Sequence, residues 1–190
     1  AAVLIDAGSG RASDRVLMNI EAAGVLPQQI EHLLLTHCHY DHSGGAASFR
    51  QRFGWRVAIH EREAAWLEAG DSQVSAACWY GDHLNPCPVD RRLAGGDRIP
   101  LAGRELEVVH IPGHSPGSVA FVVDSDDRRV VFAQDVHGPI HAALRSNVRD
   151  YRASLRKLLA LEADILCEGH YGIFVGKARV AAFIERFIDD

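Results

Sequence analysis

The sequence predicts an α/β protein whose β-sheets are sandwiched between helices. Short apolar strand runs alternate with helical patterns through the first half of the chain. Four β-rich runs then follow in succession, which predicts an antiparallel meander. The C-terminal half also carries helical patterns, and the chain closes on one, so helices fall at both ends and between the halves.

Taken in order, AVLID reads as a short buried strand and AGSG as the turn after it. Ser13 or Asp14 is expected to cap a helix with Val16, Leu17 and Ile20 on one face, ending near Gly24 and Pro27. IEHLLLTH is a second buried strand, GAASFRQRF a helix, WRVAIH a third strand and EREAAWLEA another helix. Residues 71–97 form a long polar and aromatic connection, of the kind that is usually functional. The meander is RIPL, RELEVVHI, SVAFVVD and RRVVFAQD, broken by Gly, Pro or Asp turns. A helix over DYRASLRKLLALE presents Tyr151, Leu155, Leu158 and Leu159 on one side, and ADILCEGH is a further buried strand. In KARVAAFIERFID, residues Val180, Phe183, Ile184, Phe187 and Ile188 recur with helical period and form one core-facing stripe.

A chain of 190 residues with 47% hydrophobic content can bury one sizeable core, so 1–190 is expected to be a single domain. The net charge is −5 and the basic residues are scattered, which predicts neither a nucleic-acid partner nor a membrane surface. A small-molecule substrate fits that balance. Cys38, Cys78, Cys87 and Cys167 fall at irregular spacings that match neither a zinc ribbon nor a disulfide framework, so reduced thiols and a cytoplasmic location are expected. No apolar run is long enough to span a bilayer, and the start lacks a signal-peptide pattern. The chain enters a strand at once and without Met, which leads us to expect an upstream segment.

The chemistry concentrates in THCHYDH, where His37, His39, Asp41 and His42 crowd together directly after an apolar run. On an extended strand end, residues two apart share a face, so His37 and His39 can chelate one ion, with Cys38 on the opposite face as a buried small hydrophobe. Asp41 and His42, beyond the bend, can turn toward a second ion. Imidazole and carboxylate ligands suit zinc first, with iron or manganese as the other candidates; magnesium or calcium would want more oxygens. An apolar strand delivers a ligand-type residue three more times: His114 in LEVVHIPGHSPGS, Asp135 in VVFAQDVHG and His170 in DILCEGHYG. Assembling one site from several strand ends is how a rigid scaffold builds a reaction centre. Singly, each of these three reads as a capping or surface residue; together with the first cluster they complete two coordination spheres.

The ordered set HxHxDH, PGHSPGS, a strand-end Asp and a final GH resembles the metallo-β-lactamase fold superfamily of metallohydrolases, in particular its glyoxalase II-like and lactonase-like single-domain members. The resemblance runs from VLIDAGSG to the closing helix. It implies an αββα sandwich with a dinuclear metal site at the edge between the two sheets. By similarity, His37, His39 and His114 hold one metal, Asp41, His42 and His170 the other, and Asp135 bridges both. Asp6 matches an acidic position near the family's site. Two departures stand out: the bridging Asp usually follows Gly but here follows Gln134, with His137 two residues beyond. Family members also carry about two strands ahead of the LID strand by comparison with ordinary sheet sizes, and none is visible here.

That resemblance implies a hydrolase with two divalent ions, zinc or else iron or manganese. A metal-bridging hydroxide would attack the carbonyl of a small ester, lactone, thioester or β-lactam, with Asp41 passing a proton to the leaving group. Substrate-side candidates are Tyr40, Trp79, Tyr80, His83, His137 and Tyr171, several of them on the 71–97 connection. Against each stands ordinary packing or exposure, which is the commoner fate of any one such residue. His32, His60, His110 and His141 lack motif context and are expected to be structural or surface residues. With 20 residues after His170 in this sequence, the helical glutathione-binding domain of glyoxalase II is not expected. The alternative class is a mononuclear iron oxidoreductase resembling persulfide dioxygenases, which single-iron content and oxygen uptake would reveal. A phosphodiesterase or nuclease fits less well, because no basic surface is encoded. A noncatalytic binding module fits least, since the ligand set is complete.

Overall fold

Apolar strand runs in the first half pair side by side in one direction. A computed structural model describes residues 2–188, and the chain divides into two units, Ala1–Leu93 and Ala94–Asp190. In the first, β1 (Ala2–Ile5), β2 (Ile30–Leu34), β3 (Arg56–His60) and β4 (Arg91–Leu93) form a parallel sheet in that order. Parallel neighbours need crossovers. Helix α1 (Ser13–Ala22) lies between β1 and β2, the short α2 (Tyr40–Ser43) and α3 (Ala46–Phe53) between β2 and β3, and α4 (Glu61–Ala69) after β3. The core of this unit gathers Leu33, Leu35, Phe49, Trp55, Val57, Ile59 and Leu67. Trp55 is buried with its indole N–H donating to the Pro27 carbonyl at 2.9 Å, which satisfies its one polar atom.

Two local expectations need correcting here. Helix α1 starts one residue after Ala12 with no side-chain cap, because the Ser13 hydroxyl donates backward to the Gly10 carbonyl at 2.9 Å instead of accepting from the helix. The second strand stops at Leu34, so His37 and His39 stand on irregular backbone beyond it. Strand β4 lies inside the long 71–97 connection and went unread, its Arg-Arg-Leu sequence offering one buried side chain.

The second unit carries the meander as expected. Strands β5 (Arg98–Leu101), β6 (Arg104–His110), β7 (Val119–Ser125) and β8 (Arg128–Phe132) pair antiparallel in succession. Helix α5 (Val148–Ala160) then returns the chain so that β9 (Ile165–Glu168) lies parallel to β8, and β10 (Gly172–Val175) pairs antiparallel with β9 at the sheet edge. Helix α6 (Lys177–Glu185) follows. Tyr151, Leu155 and Leu158 of α5 pack in one core with Val180, Phe183 and Ile184 of α6 and with Val131 and Leu166 of the sheet. Phe187 and Ile188 extend that stripe partly buried. Strand β10 was not expected, since Ile173 and Val175 are exposed and give no buried alternation to read.

Direction matters more than count. Because β6 and β8 are both antiparallel to β7, they run the same way, and β9 runs with them. The residues following β6, β8 and β9 therefore emerge at one end of that sheet. His114, Asp135 and His170 are those residues. In the first unit the parallel strands do the same for Asp6 after β1 and His37 after β2.

Candidate metal centre

In the first unit, β1 and β2 deliver Asp6 and Thr36 to one corner. Asp6 Oδ1 accepts from the Thr36 backbone N–H and Oδ2 from the Thr36 hydroxyl, both at 2.8 Å. The same Oδ2 lies 2.9 Å from His42 Nδ1, and Thr36 Oγ1 lies 3.0 Å from His37 Nδ1. His37 stands ring to ring with His39 at 4.5 Å and with His42 at 4.3 Å. His42 Nε2 is 3.6 Å from Asp41 Oδ2. The tight path is made by glycine: a Cβ on Gly45 would meet the Ala7 carbonyl oxygen at 2.5 Å, so only Gly lets the chain after the His cluster press onto the turn after β1.

In the second unit, Asp135 faces two histidines with different oxygens. Its Oδ2 lies 2.9 Å from His114 Nε2, and its Oδ1 lies 3.0 Å from His170 Nε2. Asp135 takes φ 52°, a left-handed conformation that Asp tolerates better than most residues. His114 Nδ1 lies 2.8 Å from the Pro139 carbonyl oxygen.

These contacts fix which histidine nitrogen carries the proton. A carbonyl oxygen only accepts, so His114 Nδ1 donates to Pro139. The Thr36 hydrogen is committed to Asp6, so His37 Nδ1 donates to Thr36, and His42 Nδ1 donates to the Asp6 carboxylate. In the neutral His37 and His42 rings Nε2 is left as the lone-pair nitrogen, the tautomer a metal ligand requires, while His114 Nε2 meets the Asp135 carboxylate at 2.9 Å. Within the second unit, His114, His170 and the two-sided Asp135 carboxylate form a donor set of imidazole and carboxylate of the kind that suits a divalent transition metal. Asp6, expected near the site, is thus the residue that orients His42 and, through Thr36, His37.

Sequence reading missed two buried glutamates. Glu63 on α4 is fully buried and its Oε2 accepts from the Cys38 backbone N–H at 2.6 Å, holding the loop between His37 and His39. Glu168 on β9 accepts from the His170 and Tyr171 backbone N–H groups, each at 2.8 Å, and from His137 Nδ1 at 2.8 Å. Burial pushes the Glu168 carboxyl up, but His137 and the two backbone donors outweigh it and hold the group below its ordinary range. The available signal was periodicity: Glu63 lies on the buried face of α4 with Ala64 and Leu67, and Glu168 alternates with Leu166 on the buried face of β9. Cys38 behaves as expected: burial first, then Glu63, pushes its thiol well up, so it stays a protonated hydrophobe.

The substrate-side candidates divide. Tyr40 is drawn to the long connection: its hydroxyl donates to Asp82 Oδ2 at 2.6 Å and its ring lies 5.4 Å from that of Tyr80. Arg11 donates from Nε to the same Asp82 oxygen at 3.0 Å and from Nη2 to the Tyr80 carbonyl at 2.7 Å. Trp79 is 53% exposed and the His83 side chain 74% exposed, so both stand at the surface. In the second unit, His137 and Tyr171 meet ring to ring at 4.9 Å. Of the histidines without motif context, His60 caps α4 by accepting from the Arg62 N–H at 3.2 Å, a structural role.

The Tyr40 hydroxyl, the His83 backbone N–H and Arg11 lower the Asp82 pKa to about 2. A depressed carboxylate stabilises the fold above its unfolded pKa of about 3.9, and that contribution fades as pH falls toward the folded value. Tyr40→Phe is therefore expected to lower the melting temperature at pH 7 by a few degrees at most, with the difference from wild type shrinking between about pH 4 and pH 2. Melting curves across that range check it; a difference that grows on acidification would show that Asp82 is not the group concerned.

Residues 1–170 match the family described as the metallo-beta-lactamase superfamily, and the chain belongs to it. It adopts the metallo-β-lactamase fold and is an enzyme of the metal-dependent hydrolase class. The chain is 32% identical to the Gallus gallus acyl-coenzyme A thioesterase MBLAC2, over 98% of this chain and 74% of that protein. It spans only 60% of the human counterpart. Similarity to the Haemophilus influenzae hydroxyacylglutathione hydrolase GloC is 30% identity over 91% of this chain and 81% of that protein. Among solved structures, the metallo-beta-lactamase MIM-1 from Novosphingobium pentaromativorans superposes with a TM-score of 0.80 at 26% identity, covering 97% of this chain and 76% of that one. No helix among the described residues is long and apolar enough to cross a membrane.

Proposed function

We propose that the protein is a dinuclear metal-dependent thioesterase acting on a small acyl thioester. His37, His39 and His114 would hold one ion, Asp41, His42 and His170 the other, with Asp135 shared. The observation that carries this reading is the anchoring of His37, His42 and His114 through Nδ1, to Thr36, Asp6 and Pro139 respectively, which leaves Nε2 of each ring as the atom available to a metal. The split of the Asp135 oxygens between His114 and His170 supports the shared role. When bound, the ions supply Lewis acidity and a water acidic enough to be a nucleophile near neutral pH.

The protein's own residues prepare that chemistry. Asp6 and Thr36 keep His37 and His42 from rotating, and Glu63 fixes the backbone between His37 and His39, so little reorganisation is left to the reaction itself. Asp41, a quarter exposed, would be the carboxyl that moves a proton to or from a leaving group. A thiolate needs such help less than an alkoxide does, because its conjugate acid has a pKa of about 8.5. Similarity to an acyl-coenzyme A thioesterase and to a hydroxyacylglutathione hydrolase supports thioesters over the other carbonyl substrates.

The test is metal content together with a substrate panel. Two zinc, iron or manganese ions per chain are expected. Hydrolysis of acyl-coenzyme A and acylglutathione thioesters should exceed that of lactones, carboxylic esters and β-lactams by at least about tenfold in kcat/KM, a difference of about 1.4 kcal/mol. Chelation should abolish turnover and added zinc restore it. A fully loaded protein inert to thioesters but active on another carbonyl class would overturn the substrate assignment, and a single iron with oxygen uptake would overturn hydrolysis.

A further inference from the structure

Resting on the hydrolase reading above, we propose that Glu168 is a positioning residue that makes His137 a hydrogen-bond acceptor in the reaction site, toward an O–H or N–H of the substrate or its attacking water. The Glu168 side chain is fully buried, and its carboxylate is divided. Oε2 takes the backbone N–H groups of His170 and Tyr171, which shapes the turn that presents His170. Oε1 takes His137 Nδ1. One carboxylate therefore sets both the turn carrying a proposed ligand and the ring beside it.

The consequence lies in the His137 tautomer. A carboxylate only accepts, so Nδ1 must carry a proton, and in the neutral ring Nε2 is then the lone-pair nitrogen. This is the tautomer that Asp6 and Thr36 impose on the neutral His37 and His42 rings, yet His137 stands outside the set of proposed ligands. The ring is held edge-on to His170 at 5.1 Å and to Tyr171 at 4.9 Å, with 20% of the side chain exposed. Asp135, His137 and Glu168 each bring a ligand-type atom within 4.8 Å of the others. A buried, charged residue is costly unless paired, and this one has three donors, the His137 ring and the two backbone N–H groups of the His170 turn.

Glu168→Gln tests the idea with little change of shape. Its amide oxygen can still accept from the His170 and Tyr171 N–H groups, but its NH2 then faces His137 and must donate to Nδ1. The His137 tautomer is expected to invert, placing a hydrogen on Nε2. Nitrogen-15 shifts of the His137 ring read this directly, whether or not the protein turns over. With metal content and melting temperature held near wild type, kcat/KM on an acyl thioester should fall about 10- to 100-fold in Glu168→Gln, the usual loss when a partner one shell out from a metal site is changed. His137→Ala should lose as much, and the double variant no more than either. A fall in kcat alone points to the attacking water, and a rise in KM to the substrate; either supports the acceptor role.

An unchanged tautomer in Glu168→Gln would overturn the proposal. So would multiplicative losses in the double variant, or a loss that excess metal repairs completely, since Glu168 would then serve only the His170 turn. If Glu168→Gln does not fold, His137→Ala decides: activity within twofold of wild type removes the acceptor role. Failure of the thioesterase reading is separate, because it would show as an inert wild-type protein in which the His137 tautomer is still as described.

Discussion

Asp135→Asn is expected to reduce hydrolysis by at least about a thousandfold, which corresponds to about 4 kcal/mol of lost transition-state stabilisation. The substitution is chosen for what it preserves. Asparagine, like aspartate, tolerates the left-handed φ of 52°, so the backbone between β8 and the His137 turn stays in place. It is also nearly isosteric. What it removes is the charge and one of the two accepting oxygens that lie 2.9 Å from His114 and 3.0 Å from His170. An amide nitrogen cannot serve as the ligand that its oxygen counterpart was, so one of the two histidines would face a donor. Elemental analysis should show loss of at least one ion per chain, alongside steady-state rates on the best thioester. Retention of both ions with a rate within tenfold of wild type would show that Asp135 is not shared.

Gly113→Ala is expected to cost at least about 3 kcal/mol, a large share of the roughly 5–15 kcal/mol that holds a domain of ordinary stability. Gly113 has φ 138°, and a Cβ there would stand 2.2 Å from both the Cα and the backbone nitrogen of Tyr151. Backbone atoms of a helix cannot yield as a side chain does. The Gly113 carbonyl also accepts from the Asn147 N–H at 2.8 Å, so the start of α5 is seated directly on the turn that carries His114. Gly96→Ala is the control: its φ is also positive, at 91°, but nothing lies within 4 Å of the added Cβ. It should cost only the left-handed penalty of about 1–2 kcal/mol. Urea unfolding midpoints of the two variants check the contrast, and equal losses would mean that the close approach of α5 is not what demands glycine at 113.

Much of this was legible in the residues. Strands such as IEHLLLTH and SVAFVVD announce themselves through their LLL and VAFV segments, which are buried throughout and therefore unbroken in apolar character. The stripe through Val180, Phe183 and Ile184 did so because helical period and burial coincide. The ligand-type histidines were legible because a polar cluster behind an apolar strand has no packing reason to exist. The supporting residues were not. Glu63 and Glu168 carry no sequence mark distinguishing a buried carboxylate from a solvated one, except a place in the buried phase of their elements. Thr36, which passes the constraint from Asp6 to His37, is an ordinary strand-end threonine until its two hydrogen bonds are seen. Strands β4 and β10 escaped notice because their side chains are mostly exposed, with one buried residue in β4 and none in β10, too little to impose a pattern.

The shared direction of β6, β8 and β9 divides the second unit into a chemical end and a mutable one. The tight turns at the opposite end, Ala102 and Gly103 before β6 and Asp126 with Asp127 before β8, carry positive φ and join strands at the end away from His114, Asp135 and His170. Lineages could lengthen those turns, and engineers could splice a reporter peptide or a tether into them, while the reactive rim at the other end inherits nothing of the change.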